Sequence, residues 1–344
     1  MKHHSSVSKH RLSLLPVLLL LLPAAALLSL TIGRYPITLH EILSLFSEWI
    51  TGTPADVEDI TRTVFFQIRL PRIGAAILIG ASLAVSGASY QGILRNPIVS
   101  PDILGAAAGA GFGAALGILF DLPALLIQLL AFAFGLLAVG IAFFTSQTLG
   151  NRTGSIIALV LSGMVVTALF SAFISIIKYV GDPYDTLPAL TFWLMGGLTY
   201  VTGEDFLFLI LPFLAGMIPL MLIRWKMNLL CFHPDEAQAM GVPVRWLQGV
   251  IILCATLLTC SAVAIGGMIG WVGLIVPHLC RMLTGPDYKR LLPVTLAGGG
   301  LFLLLVDNAA RCIGTQELPL GVLTAVIGAP CFLFELRRER KGFI

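Results

Sequence analysis

Apolar residues in this chain come in runs of about twenty, separated by short polar stretches, and nowhere in the strict alternation that marks half-buried strands. A hydrocarbon core of roughly 30 Å needs about 20 apolar residues per helix. A helix also satisfies its own backbone in a solvent that offers no hydrogen bonds. The pattern predicts ten membrane-crossing helices, at 12–32, 72–93, 103–120, 123–146, 155–178, 206–224, 246–265, 268–283, 291–309 and 319–336. The third is dense in glycine and alanine, and only "IGGMIGWVG" separates the seventh from the eighth. The first run follows a short basic tail and is longer than the apolar core of a signal peptide, so it is read as a retained helix. The expected fold is an all-α polytopic membrane protein, a single transmembrane domain spanning residues 1–344.

Composition agrees. Hydrophobic residues make up 57% of the 344 and charged residues 11%, against about 25% charged in a soluble domain; the mean hydropathy is +0.95. A net charge of +3 is too small to point to nucleic acid. Placing the N-terminus in the cytoplasm puts fifteen of the 21 basic residues on that side. Only Arg34, Arg62, Arg69, Arg72, Lys178 and Arg311 are left outside. The positive-inside rule then predicts that both termini are cytoplasmic. The six cysteines form no CxxC pair and lie mostly in apolar runs, and the histidines are scattered, so no disulfide framework or metal site is expected. His278, alone in "VPHL", reads as structural or gating.

Small residues fill several helices, as in "GASLAVSGASYQG" (80–92) and "GAAAGAGFGAALG" (105–117). They let backbones approach where lipid supplies no drive for helices to associate. Segments 83–102 and 263–287 share a small-residue patch and a final proline-aspartate. With five spans per half, this raises a possible inverted repeat of the kind built into transporters. "RNPIVSPDILG" (95–105) cannot be one unbroken helix, because Pro97 and Pro101 each remove a backbone donor.

One polar stretch stands out between the sixth and seventh spans. In "FHPDEAQAMGVPV" (232–244), Pro234 suits the first helical turn, Asp235 and Glu236 favour the positive end of a helix dipole, and Gly241 suits its end. About two turns of helix with a small apolar face at Ala237 and Met240 either dock in a groove of a cytoplasmic partner or form a solvated connector. On the outer side, Arg69, Arg72 and Arg311 stand where basic residues are scarce. Local pairing, such as Asp307 with Arg311 at i,i+4, is worth only tenths of a kcal/mol when exposed.

Five motifs in order across the chain, "QIRLPRIGAAILIGASLAVSGASYQGILRNPIVSPDILG" (67–105), "FWLMGGL" (192–198), "DEAQAMGVPV" (235–244), "GWVGLIVPHLCRML" (270–283) and "ELPLGVLTAVIGAPCFLFEL" (317–336), resemble the FecCD family of permease subunits. These belong to type II ABC importers of iron-siderophores, haem and cobalamin. The resemblance implies that 232–244 is the cytoplasmic coupling helix, with Pro234, Asp235, Glu236, Ala237, Met240 and Gly241 gripped by an ATPase. It implies that Arg69, Arg72 and Arg311 receive glutamates of a periplasmic or lipid-anchored substrate-binding protein. The fifth span would line the path of a homodimer, with Asn151 and Thr153 near the cytoplasmic gate and Ser162, Gly163, Thr167 and Ser171 along the channel. Those hydroxyls equally suit bonds to their own helix carbonyls. The lead-in "FHP" departs from the leucine- and glycine-containing lead-in familiar in the family.

The expected assembly is two copies of this chain in the bacterial or archaeal cytoplasmic (inner) membrane, two ATP-binding subunits and one binding protein. No G-x-x-x-x-G-K-[ST] loop is present. ATP and Mg belong to the partner ATPase, no cofactor is bound by this chain, and the chain is a transport subunit, not an enzyme. An iron chelate is the expected cargo, with cobalamin or an oxyanion as alternatives. A gradient-driven carrier is the alternative of another class, and an intramembrane hydrolase lacks its H-E-x-x-H signature.

Overall fold

The structure is a computed structural model. It describes residues 14–153, 155–231, 236–237, 240–241, 243–313 and 316–341, and only the backbone at 149–153, 155, 231 and 335–341. Among the described residues the secondary structure is all helical: α1 (Leu14–Thr31), α2 (Leu39–Thr51), α3 (Asp59–Thr63), α4 (Leu70–Ile93), α5 (Ala106–Leu119), α6 (Ala124–Thr153), α7 (Ser155–Val180), α8 (Thr186–Met195), α9 (Gly203–Met227), α10 (Val244–Gly266), α11 (Val272–Thr284), α12 (Tyr288–Cys312) and α13 (Leu320–Lys341). Seven stretches among them are long and apolar enough to cross a membrane, and α5, α8, α11 and the start of α13 are shorter apolar helices. Each of the ten expected spans falls on one of these helices. α2 and α8 were not anticipated.

The second span is longer than its apolar pattern implies. α3 runs through a π turn at Val64–Arg69 into α4, giving 35 continuous residues, or about 50 Å at 1.5 Å per residue. A π turn is wider than an α turn. Here it carries Phe65 and Arg69 on the buried side.

α4 is the centre of the bundle, buried from Pro71 to Ile93 except for partial exposure at Gly74, Ile77 and Leu78. It packs on α9, α10, α11 and α12. The reason is visible in its sequence: at Gly80 a Cβ would lie 2.2 Å from the Gly299 carbonyl oxygen, and at Gly299 one would lie 2.4 Å from that of Gly80. Two helices therefore cross backbone to backbone, the close approach that small residues permit in membranes. Hydroxyls join another face of α4 to α10, Ser86 to Thr259 at 2.8 Å and Tyr90 to Thr256 at 2.8 Å.

A second group, α5, α6 and α7, packs beside this centre. Phe112, Phe134, Phe170 and Phe173 interlock within it, with ring centroids 5.1 to 5.6 Å apart around Phe112. At the opposite flank α1 lies on α12 and α4, its other side an exposed row of leucines.

Gly80→Ala is expected to lower the melting temperature of the purified chain by several degrees, since overpacking typically costs about 1–3 kcal/mol. Gly249→Ala, on α10 with nothing within 4 Å of the added carbon, is expected to leave it unchanged or raise it. A thermal shift series in one detergent compares the two.

Candidate functional site

The segment expected to couple with an ATPase lies between α9 and α10. Pro234 and Asp235 lie outside the described residues. Glu236 and Ala237 are helical, and the Met240 amide donates to the Glu236 carbonyl at 3.1 Å, closing a turn. Gly241 follows with φ of +78°, the left-handed conformation that ends a helix. Ala237 is 1% exposed and Met240 50% exposed, with Glu236 also at the surface. The turn buries one small residue, Ala237, and has Glu236 and Met240 at the surface.

The chain that leads toward it is tied to the transmembrane centre. A 3-10 turn at Asn228–Cys231 ends α9, and Arg95, at the end of α4, donates to the Leu230 carbonyl at 2.9 Å. The Asn228 amide donates to Asp287 at 2.7 Å and accepts from the Tyr288 amide at 2.9 Å. Tyr288 in turn donates to the Ala88 carbonyl of α4 at 3.1 Å. The chain just before the coupling turn is thus tied to both α4 and α12.

Beyond α4 the helix breaks, as Pro97 and Pro101 require, and a 3-10 turn at Pro101–Leu104 leads into α5. Gln91 gathers the break, donating to Val99 at 3.3 Å and Leu274 at 3.4 Å and accepting from Arg281 at 2.9 Å. The two segments read as faintly alike therefore meet in space: a Cβ on Gly87 would lie 1.9 Å from the Gly273 carbonyl oxygen.

The path residues divide. Asn151 and Thr153 fall on the α6 backbone, and their side chains lie outside the described residues. Gly163 faces the broken segment, where a Cβ would lie 2.2 Å from the Ile103 carbonyl oxygen. Ser162 is buried without a hydrogen-bond partner among the described residues. Thr167 donates to its own helix at Gly163, 2.8 Å away. Only Ser171, with Ser175 one turn on, stands on the exposed face of α7. Four of the positions read together as a channel lining are thus split between a helix contact and an open face.

Arg69, Arg72 and Arg311 are all buried, which corrects their reading as surface groups. Arg72 donates to Asp307 at 2.8 Å and to Glu317 at 3.1 Å. Arg311 lies 3.1 Å from the other Asp307 oxygen and donates to Ser29 at 2.6 Å and to the Ile32 carbonyl at 3.1 Å. Arg69 donates to the carbonyls of Leu30 and Tyr35. The Asp307–Arg311 pair, taken as exposed and weak, is instead fully enclosed at the Asp307 carboxylate, with two guanidiniums sharing one anion. Glu317 also accepts from Thr199 at 2.8 Å, tying the turn after α8 to the same cluster. Asp307 and Glu317 escaped the site reading because they pair with Arg72 across 235 and 245 residues.

Burial alone would push the Glu317 carboxyl up. The Arg72 guanidinium and the hydrogen bonds from Thr199 and Arg72 outweigh it and hold the carboxyl below its ordinary value of 4.5.

Among the described residues no group of three metal-ligating side chains occurs, and the described cysteines are free thiols.

The FecCD transport family matches residues 19–338. This chain belongs to the FecCD family. It is 43% identical over 330 residues to the molybdate import system permease protein MolB of Haemophilus influenzae, covering 94% of this chain and 95% of that one. It is 38% identical to a probable iron chelatin transport system permease protein of Helicobacter pylori, covering 80% and 83%. A solved structure of a metal-chelate type ABC transporter in an inward-facing conformation superposes with a TM-score of 0.83 at 39% identity, covering 94% of this chain and 98% of that one. As a FecCD permease the chain is the membrane-spanning transport subunit of an ABC importer, and the gradient-driven alternative falls.

Asp307→Ala in this permease leaves the buried Arg311 guanidinium without a carboxylate and Arg72 with Glu317 alone, and is expected to cost about 3–5 kcal/mol, read as loss of monodisperse protein on extraction. Glu317→Gln is milder. A depressed carboxyl contributes stability above its unfolded pKa and loses it as pH falls through the folded value. The variant is therefore expected to melt below wild type at neutral pH, with the gap closing below about pH 4.5.

Proposed function

We propose that two copies of this permease form the translocation path, with an ATPase gripping the turn at Glu236–Gly241 and a substrate-binding protein delivering cargo at the opposite end. The observation that carries this reading is the tie from Leu230 and Asn228 through Arg95, Asp287 and Tyr288 to α4 and α12. It gives a pull that arrives at Asn228–Leu230 a hydrogen-bonded route into the core of the bundle. Nucleotide states of an ATPase that bind the turn differently would then shift the population of bundle conformations. ATP and Mg stay with that partner. The basic residues near the coupling turn favour a cytoplasmic position for that end and for both termini.

The dimer contact is assigned to the exposed face of α7, where Met164, Ala168, Ser171 and Ser175 form a strip of modest size beside bulkier Leu161, Val165 and Leu169. Ser171 and Ser175 would line the passage, and Gly163 and Thr167 would transmit the state of the broken segment to it. Docking of a binding protein over Arg69, Arg72 and Arg311 requires its carboxylates to take the place of Glu317 on Arg72, since the guanidiniums are already engaged. Such pairs set orientation and on-rate more than affinity.

For the cargo, a molybdate-like oxyanion comes first, on the 43% identity to a molybdate permease over nearly the whole chain. An iron chelate is the second reading, on the Helicobacter pylori relative and the metal-chelate structure.

Permease in nanodiscs is expected to retain its ATPase in a pull-down, and the double variant Glu236→Arg, Met240→Asp to lose it. Retention by the variant would remove the coupling assignment. Uptake into proteoliposomes holding all three components, with labelled molybdate and a labelled ferric siderophore in parallel, decides the cargo: whichever label accumulates in an ATP-dependent way is the substrate class.

A further inference from the structure

α2 is a thirteen-residue helix that the transport reading leaves without a task. It is well made: Thr38 and Glu41 form a reciprocal capping box at its start, and Gly52 closes it in the left-handed conformation. At about 100° per residue, its polar residues His40, Glu41, Ser44, Ser47, Glu48 and Thr51 fall on one side. Leu39, Ile42, Leu43, Leu45, Phe46, Trp49 and Ile50 fall on the other.

The protein covers only part of that apolar side. Ile42 and Leu45 are buried, and Phe46 meets Phe65 of the π turn edge to face at 5.4 Å. Glu48 is held by Arg62 at 3.2 Å and accepts from the Ala55 amide at 3.1 Å, which fixes the polar side toward the loop 52–58. Leu39, Leu43 and Ile50, which lie within about 40° of one another around the helix, are exposed, as is Trp49; Trp49 is 74% and Ile50 76% exposed.

We propose that α2 lies in the bilayer interface and that Leu39, Leu43, Trp49 and Ile50 insert among the lipid headgroups and upper acyl chains. Three observations select lipid as the occupant. The stripe continues a surface already in lipid, because α2 follows α1 after a seven-residue connection and α1 carries exposed Leu20, Leu21, Leu27 and Leu28. Its level is right. The helix from Asp59 to Ile93 exceeds a hydrocarbon core of roughly 30 Å by about 20 Å, so one or both of its ends must lie outside the core, and α2 packs near the Asp59 end, at Phe65. The chemistry of its apolar side is right, since an amphipathic helix with a tryptophan at one end matches the interfacial class; its polar side carries Glu41 and Glu48 in place of the usual basic residues. The flank is also wrong for a second copy if α7 makes that contact, because α1 packs on α12 and α4 while α7 packs on α5 and α6. The helix would act as a float that holds the α3 extension, and with it Arg62 and Arg69, at a set height above the membrane.

The test places p-benzoylphenylalanine singly at Leu43, Ile50, Ser44 or Ser47 of the full-length chain. The protein is reconstituted into liposomes of phosphatidylethanolamine and phosphatidylglycerol and irradiated, and adducts are read by mass spectrometry. All four positions lie on one surface helix, and gel filtration of each variant verifies folding. The expected result is a lipid adduct at 43 and 50 several-fold above that at 44 and 47. In parallel, quenching by brominated lipid should fall in Trp49→Phe relative to wild type. Equal yields at the four positions, absence of lipid adducts at 43 and 50, or cross-links there to a second copy or to an added binding protein would each overturn the proposal.

Discussion

Backbone amides and carbonyls released by a helix break cannot be left facing lipid, and this chain breaks its helices often. α4 ends in the segment 94–105, α10 ends before the turn at Gly267–Gly270, and α8 stops at Gly196. The structure meets the constraint by bringing breaks together, so that one supplies what another lacks. The Gly197 amide donates to the Gly266 carbonyl at 2.8 Å, and the Leu320 amide to the Gly196 carbonyl at 2.9 Å. These junctions need backbones in contact, which explains why Gly267 sits against the Trp193 carbonyl and Gly321 against those of Met195 and Met268. The abundance of glycine is thus less a matter of flexibility than of how closely one chain segment must approach another.

The same economy governs charge. Two buried arginines sharing Asp307 resemble an arrangement that is costly to assemble and more costly to break, because desolvation is repaid only when every donor and acceptor is engaged. Here Ser29, Asn308, Thr199, Glu317 and the Ile32 carbonyl supply most of the partners, while the Arg311 Nε is held beside Asp307 by charge alone, without a hydrogen bond. The cluster joins α1, α4, α12 and the turn after α8 at one end of the bundle. Its geometric demand is specificity of packing: a helix out of register by one residue would strand a guanidinium in a low-dielectric interior.

Much of the architecture was legible because lipid imposes a simple length rule. The ten apolar runs could be marked off directly, and the helical turn that ends at Gly241 could be read from the local pattern around Glu236 without reference to any other part of the chain. What was missed falls into two kinds. α2 carried local signals, Thr38 with Glu41 and a clean amphipathic pattern, but its thirteen residues are too short for a spanning helix and were passed over as connection. The burial of Arg72 and Arg311 depends on pairings across most of the chain, and the contact of Gly163 with Ile103 on one across sixty residues, which no local pattern encodes. A serine such as Ser171 and a serine such as Ser162 are indistinguishable until the helix face is known.

The distribution of close contacts also decides where the bundle can bend. α4 and α12 are joined backbone to backbone at Gly80 and Gly299, by Arg72 and Asp307 at one end, and by Tyr288 and Ala88 at the other. Packed interiors of this kind shift as units rather than deform continuously. Between this unit and the group of α5, α6 and α7 runs the segment 94–105, where Arg95, Asn96, Pro97 and Ile98 are exposed. Its far end, the 3-10 turn at Pro101–Leu104, presses on α7 at Gly163. On the proposed coupling role, a displacement that arrives at Leu230 acts on Arg95, which stands at the near end of that same segment. The joint would then coincide with the point of entry, and a small movement at Leu230 would act on α7 through a short, proline-stiffened arm instead of through the whole length of a helix.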